Sequence, residues 1–583
     1  MSTVPAMFFD CVDRAPQRVL AHIPQPDGEG WRWEPVTLAE IESEVSGLAR
    51  RLAALGVEPG CPVAIIADTS HLWAACDLAI LCLGGITVGL YPTLTGEQLA
   101  SQLAHSAAEV LIVQDQAVLD ALGDRLEDLF DLRHTYSLTA GAAAPQLFPA
   151  RPDVAFLRQQ AAAVRPEQVA THVYTSGTTG RPKAVVLSHR NFVANVAASQ
   201  EALPAQPGDR MVIYLPLAHS LQRFAQYRGL VEEGEGWYAP GLDALPQTIA
   251  AARPTVLPVV PRVLEKIIAK AERTAAARGP VSAGMLRWSL AVGRAVCRHR
   301  TQGSAIPRRI ALQHALAARL VYPKIRARLG GELRLIVCGG AALSVDVAMW
   351  FEAIGIAVRE GWGLTETCAP ATLNRLDAFR KGSLGTAMPG VEVAVSEQGE
   401  LLVRGPGVFS GYLNDPIATA AAFTADGFFR TGDLGTIDAD GFVTLTGRSK
   451  EIIVTAGGKN VAPVPIEQRL VGGLFEVAVV IGDARPYLTA LLVPEPDGLA
   501  ALAAAEGWGG GFAEWSRQAA VQARAEQVVA RTNASLARYQ TIKQFVVLSA
   551  PLTVRGGELT ATLKLRRASI SERYAVEIEA MYG

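Results

Sequence analysis

The chain has 583 residues, half of them hydrophobic, with 54 basic and 56 acidic side chains and a formal net charge of −2. That length exceeds what one core organises, so two or more domains are expected, and the even charge balance leaves no electrostatic footprint for nucleic acid. Seven cysteines without pairing or metal spacing fit a reducing, cytoplasmic compartment, with the thiols as small core residues.

Residues 1–14 carry acids and lack the apolar centre of a secretory leader. The longest apolar run, residues 78–90, is too short to span a bilayer and reads as a buried helix turning into a strand. Before it, Thr37 can cap a helix in which Ile41, Val45, Leu48, Leu52 and Leu55 recur at helical spacing, and Gly56 closes it. Residues 63–67 predict a short buried strand, 68–83 a helix stopped by Gly84 and Gly85, and 86–90 another strand. Strands alternating with helices in this way argue for a largely parallel sheet.

A β-type run at 169–174 leads into Thr175-Ser176-Gly177-Thr178-Thr179-Gly180-Arg181-Pro182-Lys183, and an apolar run follows at 184–187. Small residues let the backbone approach a ligand, so that its N–H groups face phosphate oxygens; the hydroxyls add donors and Lys183 a positive charge. A Walker A loop needs Gly-Lys-Ser/Thr opening a helix. Here Gly180 precedes Arg181-Pro182-Lys183-Ala184 and a strand, so that motif fails. The bland alternative is a flexible polar hairpin. The stretch closely resembles the phosphate loop of the adenylate-forming superfamily: acyl-CoA synthetases, luciferases and peptide-synthetase adenylation domains. The resemblance implies that Thr175, Ser176, Gly177, Thr178, Thr179, Gly180 and Lys183 hold the β- and γ-phosphates of ATP, with Thr178 also at the metal and in catalysis.

Tyr214-Leu215-Pro216-Leu217-Ala218-His219-Ser220-Leu221-Gln222-Arg223 resembles the segment lining the acyl pocket of long-chain acyl-CoA synthetases. That resemblance puts His219 in the pocket wall, as a catalytic residue. Gln222 replaces the usual Glu and puts in doubt any ion pair made there. Three prolines confine residues 254–261 to extended or turn geometry, and a helix is expected from Val263. The helical, basic insert at 271–328 also matches the long-chain subgroup. Its Arg and His side chains read as a solvated face or as a surface for anionic headgroups or CoA phosphates.

Residues 335–343 predict a strand running into Gly339, Gly340 and Ala341, whose small side chains let a flat ring lie against the backbone; the resemblance assigns them to adenine and the acyl group. A second strand leads into Glu360-Gly361-Trp362-Gly363-Leu364-Thr365-Glu366. Trp362 stands where the family usually has Tyr and offers a ring to adenine. Glu366 supplies a hard oxygen for Mg2+, and Thr365 a donor to phosphate. Turn-rich segments at 382–390 and 403–412 suggest a small β-subdomain and resemble motifs that are mainly architectural. The resemblance gives Asp433 and Arg448 to the ribose and makes Lys450 the hinge. Beyond it, the Gly457-Gly458 loop suits a narrow passage for a pantetheine arm. Lys564, in a terminal segment where Ala561 replaces the family's usual Pro, is the catalytic lysine.

The expected fold is α/β: a large N-terminal domain of layered sheets with a small β-subdomain over 1–449, and a smaller mobile α+β domain over 450–583. The expected activity is that of an ATP-dependent acyl-CoA synthetase using ATP, Mg2+ and coenzyme A on a medium, long or very-long-chain fatty acid. A ligase that loads an acyl carrier protein, and a non-catalytic fatty-acid or nucleotide binder, stay open as alternatives. So do a monomer or homodimer and peripheral membrane contact at the inner face.

Overall fold

In the computed structural model, which describes residues 2–175, 183–554, 556–560 and 564–583, Thr37 caps helix Leu38–Ala54 through a reciprocal box with Glu40. Gly56 follows it at φ +84°, a left-handed conformation that Cβ-bearing residues avoid. The next helix spans His71–Cys82 rather than starting at Asp68. Ser70 takes the Trp73 N–H, while the Asp68 N–H is held by the Gln114 side chain, so the chain cannot wind before the serine. Pro261 opens helix Pro261–Ala277, two residues before Val263, because a proline at the first helical position forfeits only an N–H that the helix leaves unpaired.

Strand and helix alternation builds a seven-stranded sheet. Its order is Gly411–Tyr412, Lys183–Ser188, Val169–Thr175, Ile86–Leu90, Pro62–Ile66, Val110–Val113 and His134–Ser137. The last five strands are parallel, as expected from their helical crossovers; Lys183–Ser188 returns antiparallel on Val169–Thr175, with Tyr174 opposite Ala184. A five-stranded sheet begins with the parallel strands Val256–Val259, Leu335–Cys338 and Ala357–Trp362. Strands Arg210–Ile213, Glu235–Tyr238 and Val19–Asp27 join Gly30–Thr37 in a third sheet.

The β-subdomain is the four-stranded sheet Glu392–Val395, Glu400–Arg404, Phe429–Ile437 and Val443–Arg448. Gly411–Tyr412 does not belong to it. That pair bonds to the edge of the seven-stranded sheet, with Tyr412 opposite Val185, which carries a segment expected to be architectural into the site. Past the short turn Ser449–Glu451, strands Phe475–Ile481, Leu488–Pro494 and Ile542–Val547 form a three-stranded sheet covered by helices Val464–Leu470, Pro496–Glu506 and Ala519–Asn533. Gly507 ends Pro496–Glu506 at φ +70°. No helix among the described residues is long and apolar enough to cross a membrane.

Candidate active site

The strand pair Phe429–Ile437 and Val443–Arg448 puts Asp433 opposite Arg448. Arg448 Nε lies 2.8 Å from Asp433 Oδ1, and Trp362 Nε1 donates to Asp433 Oδ2 at 2.8 Å. The contact with Arg448 is a charge pair without hydrogen-bond alignment, so Oδ1 remains a buried acceptor with no hydrogen-bond donor. Burial raises the Asp433 pKa; Arg448, the Trp362 bond and Lys564 pull it back. A buried carboxylate held in place by an indole and an arginine, with an oxygen still to be satisfied, suits a sugar hydroxyl.

Trp362 ends strand Ala357–Trp362 and is 7% exposed, packed with Leu384, Leu401 and Val443. Its indole edge, more than an open face, reaches the site. Gly363 follows, and a Cβ there would stand 2.0 Å from the Ala369 carbonyl oxygen. That turn delivers Thr365, which is buried, and Glu366 in the short helix Thr365–Thr367.

Tyr412 OH donates to Glu366 Oε1 at 2.9 Å, and Lys183 Nζ lies 4.7 Å from the centre of the same phenol ring. One aromatic thus joins the carboxylate to the cation next to the phosphate loop. Burial raises the Glu366 pKa, opposed by a backbone hydrogen bond, Tyr412, Arg448 and Lys564; burial also raises that of the Tyr412 phenol, helped by Glu366. Sequence reasoning passed over Tyr412. The signal available was an aromatic after a glycine, too general without the strand pairing. Among the described residues no group of three His, Cys, Asp or Glu could hold a metal. A single half-buried carboxylate with one oxygen engaged fits Mg2+, which takes few protein carboxylates and completes its shell with phosphate and water.

Residues 176–180 of the expected phosphate loop, Ser176, Gly177, Thr178, Thr179 and Gly180, lie outside the described residues. Its flanks, Thr175 and Lys183, face each other across the hairpin. Gly339 lies against Gly361 and Leu221, a Cβ on it meeting the Gly361 carbonyl oxygen at 3.6 Å, and Gly340 has φ +83°. The same small-residue loop, with Ala341, is tied down at Leu343, whose N–H donates to Glu360 Oε1 at 3.0 Å.

Lys564 reaches this group from the small domain. The residue keeps solvent access, yet burial is the largest cause lowering its pKa, with Arg448 adding to it and Asp433, Glu366 and Glu451 opposing. His219 caps helix Ser220–Val231, its Nδ1 accepting the Leu221 N–H at 3.1 Å. Burial, then Lys564, lowers its pKa to about 4, so the imidazole is neutral at pH 7. Gln222 forms no ion pair. Its Oε1 is buried without a partner, while Arg223 turns inward to Thr171 Oγ1 at 2.6 Å and to Asp77 at 3.9 Å. Under that helix, Gln222, Ala225, Gly229, Ile213, Gly236 and Pro258 line a cavity that sequence reasoning did not locate.

Lys450 is exposed within Ser449–Glu451. Gly457 and Gly458 are not brought against the charged groups; they form an exposed hairpin tip where a Cβ would meet nothing within 4 Å. The small domain is held instead by Gln468 Nε2 donating to the Ala342 carbonyl at 2.8 Å, by Arg262 with Glu476 at 2.9 Å, and by Arg273 with Glu495.

Residues 10–413 match the family model described as AMP-binding enzyme, and residues 450–583 that of the AMP-binding enzyme C-terminal domain. The chain is 36% identical over 573 residues to the long-chain-fatty-acid–CoA ligase FadD15 of Mycobacterium tuberculosis, covering 94% of this chain and 93% of that protein. It is 29% identical over 608 residues to the long-chain-fatty-acid–CoA ligase ACSBG2 of Xenopus laevis, covering 95% and 80%. The fold is shared with ATP-bound MatB from Rhodopseudomonas palustris, at 23% identity and TM-score 0.68 over 98% of this chain and 99% of that one. It is shared too with the adenylation domain of a carboxylic acid reductase from Segniliparus rugosus, at 19% and 0.75 over 100% and 94%.

Proposed function

The chain belongs to the AMP-binding enzymes and is an ATP-dependent acyl-CoA synthetase, and we propose that it activates a medium- to very-long-chain fatty acid through the cleft in which Lys564 meets Glu366 and Asp433. In the first step a carboxylate oxygen attacks the α-phosphorus of ATP and pyrophosphate leaves. In the second, the CoA thiol attacks the carbonyl carbon of the acyl-AMP and AMP leaves.

Two anions must approach in the first step, so positive charge is needed where they meet. Lys183 and the adjoining loop hold the β- and γ-phosphates, and Lys564 faces the reacting carboxylate and the α-phosphate. Asp433 Oδ1 takes a ribose hydroxyl, with Arg448 beside it and Trp362 fixing the carboxylate. Gly339, Gly340 and Ala341 let the adenine and acyl groups pass close to the backbone, Gly361 and Gly363 let the chain on either side of Trp362 pack against residues 369–373, and Thr365 donates to phosphate. Mg2+ would be held by Glu366, with Thr178 and phosphate oxygens, and supplies charge neutralisation on the phosphates when bound. The acyl chain enters past His219, whose neutral ring adds no charge to the wall, towards the cavity lined by Gly229 and Gly236, which at about 20 Å³ holds no more than a water and must open to take a chain. A Cβ at Gly236 would come within 2.5 Å of the Ile213 side chain, so the space there depends on a missing side chain.

The convergence of Asp433, held by Trp362 and Arg448, with Glu366, held by Tyr412 beside Lys183, is the observation that carries this reading, and Lys564 acts on both carboxylates. The small domain over 450–583 is posed for adenylation, and turning about Lys450 brings the Gly457-Gly458 tip to the cleft for CoA. Lys564→Ala is expected to slow acyl-AMP formation by about 10²–10³-fold, the cost of losing one preorganised charge-stabilising donor. Thioester formation from supplied acyl-AMP should persist. Equal loss of both half-reactions in single-turnover assays overturns the assignment. Pyrophosphate release across acids of graded chain length, with CoA or a carrier protein as thiol, fixes substrate and acceptor.

A further inference from the structure

Residues 278–328 carry eleven Lys and Arg and no Asp or Glu, in a chain whose net charge is −2. They form helices Pro280–Thr301, Arg308–Leu320 and Tyr322–Ala327. In Arg308–Leu320 only Ala317 is buried. Leu312, Leu316 and Leu320 recur every four residues, on one face of the helix, and are 74%, 49% and 42% exposed. Val281 and Met285, on the helix packed alongside, are 76% and 39% exposed. Arg308, Arg309 and Arg319 are exposed as well. The inner residues of the same helices, Leu286, Leu290, Ala317 and Val321, share a core with Tyr214, Val259 and Val212, the last of which lines the cavity under helix Ser220–Val231.

Five large apolar side chains held in water cost free energy that a monomer has no reason to bear. A helix with an apolar stripe and arginines on its flanks is the pattern that lies in a membrane interface, the stripe among the acyl chains and the cations at the headgroups. We propose that helix Arg308–Leu320, with the start of Pro280–Thr301, docks the enzyme on an anionic phospholipid surface. The charge decides between this occupant and a second copy of the chain. A two-fold dimer sets the same patch against itself, and this patch would then face its own acid-free stretch of cations. The inference rests on the fatty-acid reading for its purpose, since long-chain acids partition into bilayers, but vesicle binding itself needs no catalysis.

The experiment is co-sedimentation of the full chain with phosphatidylcholine vesicles with or without phosphatidylglycerol. Binding is expected on the anionic vesicles only, falling as salt is raised towards about 0.5 M, where the screening length is a few ångströms. Leu312→Glu with Leu316→Glu, and separately Arg308→Glu with Arg309→Glu, should each weaken binding by at least ~10-fold. Both variants should keep wild-type turnover of a dissolved medium-chain acid, which also shows that they fold. Binding of either variant equal to wild type, wild-type binding indifferent to lipid charge, or a wild-type dimer that the leucine changes dissociate, each overturns the proposal. Should no acid be turned over while vesicle binding behaves as stated, the ligase reading fails and the docking surface stands.

Discussion

Tyr412 ties two groups of opposite charge, its hydroxyl on Glu366 and its ring against Lys183. A hydrogen bond to a charged group contributes about 1.5–3 kcal/mol, so Tyr412→Phe should lower kcat/KM for ATP by about 10–100-fold. The ring stays, so Lys183 should remain in place. Steady-state kinetics at several Mg2+ concentrations checks this, because an unanchored Glu366 should raise the Mg2+ requirement. Glu360 makes a second prediction. Burial lifts its pKa to about 7, against the pull of the Leu343 N–H. A carboxyl with a raised folded pKa keeps its proton longer in the native state than in the unfolded one. Native protein therefore binds more protons between its ordinary value of 4.5 and about 7, and stability falls with rising pH across that window. Glu366 and Asp433 are shifted in the same direction. Glu360→Gln preserves an acceptor for Leu343 and should flatten part of that fall, read as Tm against pH.

At the scale of elements, helix Pro261–Ala277 meets the small domain through Arg262 with Glu476 and Arg273 with Glu495. Each arginine is partly exposed, at 22% and 35%, so each pair is expected to contribute modestly, up to about 1 kcal/mol. Arg262→Ala with Arg273→Ala should slow adenylation by about three- to ten-fold and leave thioester formation from supplied acyl-AMP unchanged or faster. Single-turnover assays of both half-reactions measure it. The turn after strand Ala357–Trp362 tolerates less. With the Ala369 oxygen 2.0 Å from a Cβ at position 363, Gly363→Ala must displace Glu366 or unfold the turn. A large loss of ATP turnover is expected, with near-native Tm only if the displacement is local.

For the whole molecule, Gln468 and Ala342 join the two domains in the pose that brings Lys564 to the cleft. Ala342→Cys with Gln468→Cys, oxidised, should lock that pose. Acyl-AMP should still form, thioester formation should stop, and a reductant should restore it. The seven native cysteines are free and buried, so mass spectrometry after thiol labelling reports the engineered bridge alone. Thioester formation by the locked protein at the wild-type rate would refute rotation about Lys450.

The sequence by itself determined the parts that local chemistry dictates. The Thr37 cap, the parallel run of strands and the small-residue loops follow from propensity, periodicity and spacing, and the motifs around Lys183, Glu366, Asp433 and Lys564 carry the family. Only the tertiary structure decided what meets across long separations in the chain. Tyr412 enters the site because a two-residue strand pairs with Val185 and Val186 rather than with its neighbours in sequence. Asp433 keeps a free acceptor because Arg448 approaches without hydrogen-bond alignment. The stripe at Leu312, Leu316 and Leu320 stays exposed because no other element among the described residues packs over it. Periodicity tells which residues share a face, whereas burial depends on what the rest of the chain lays against it.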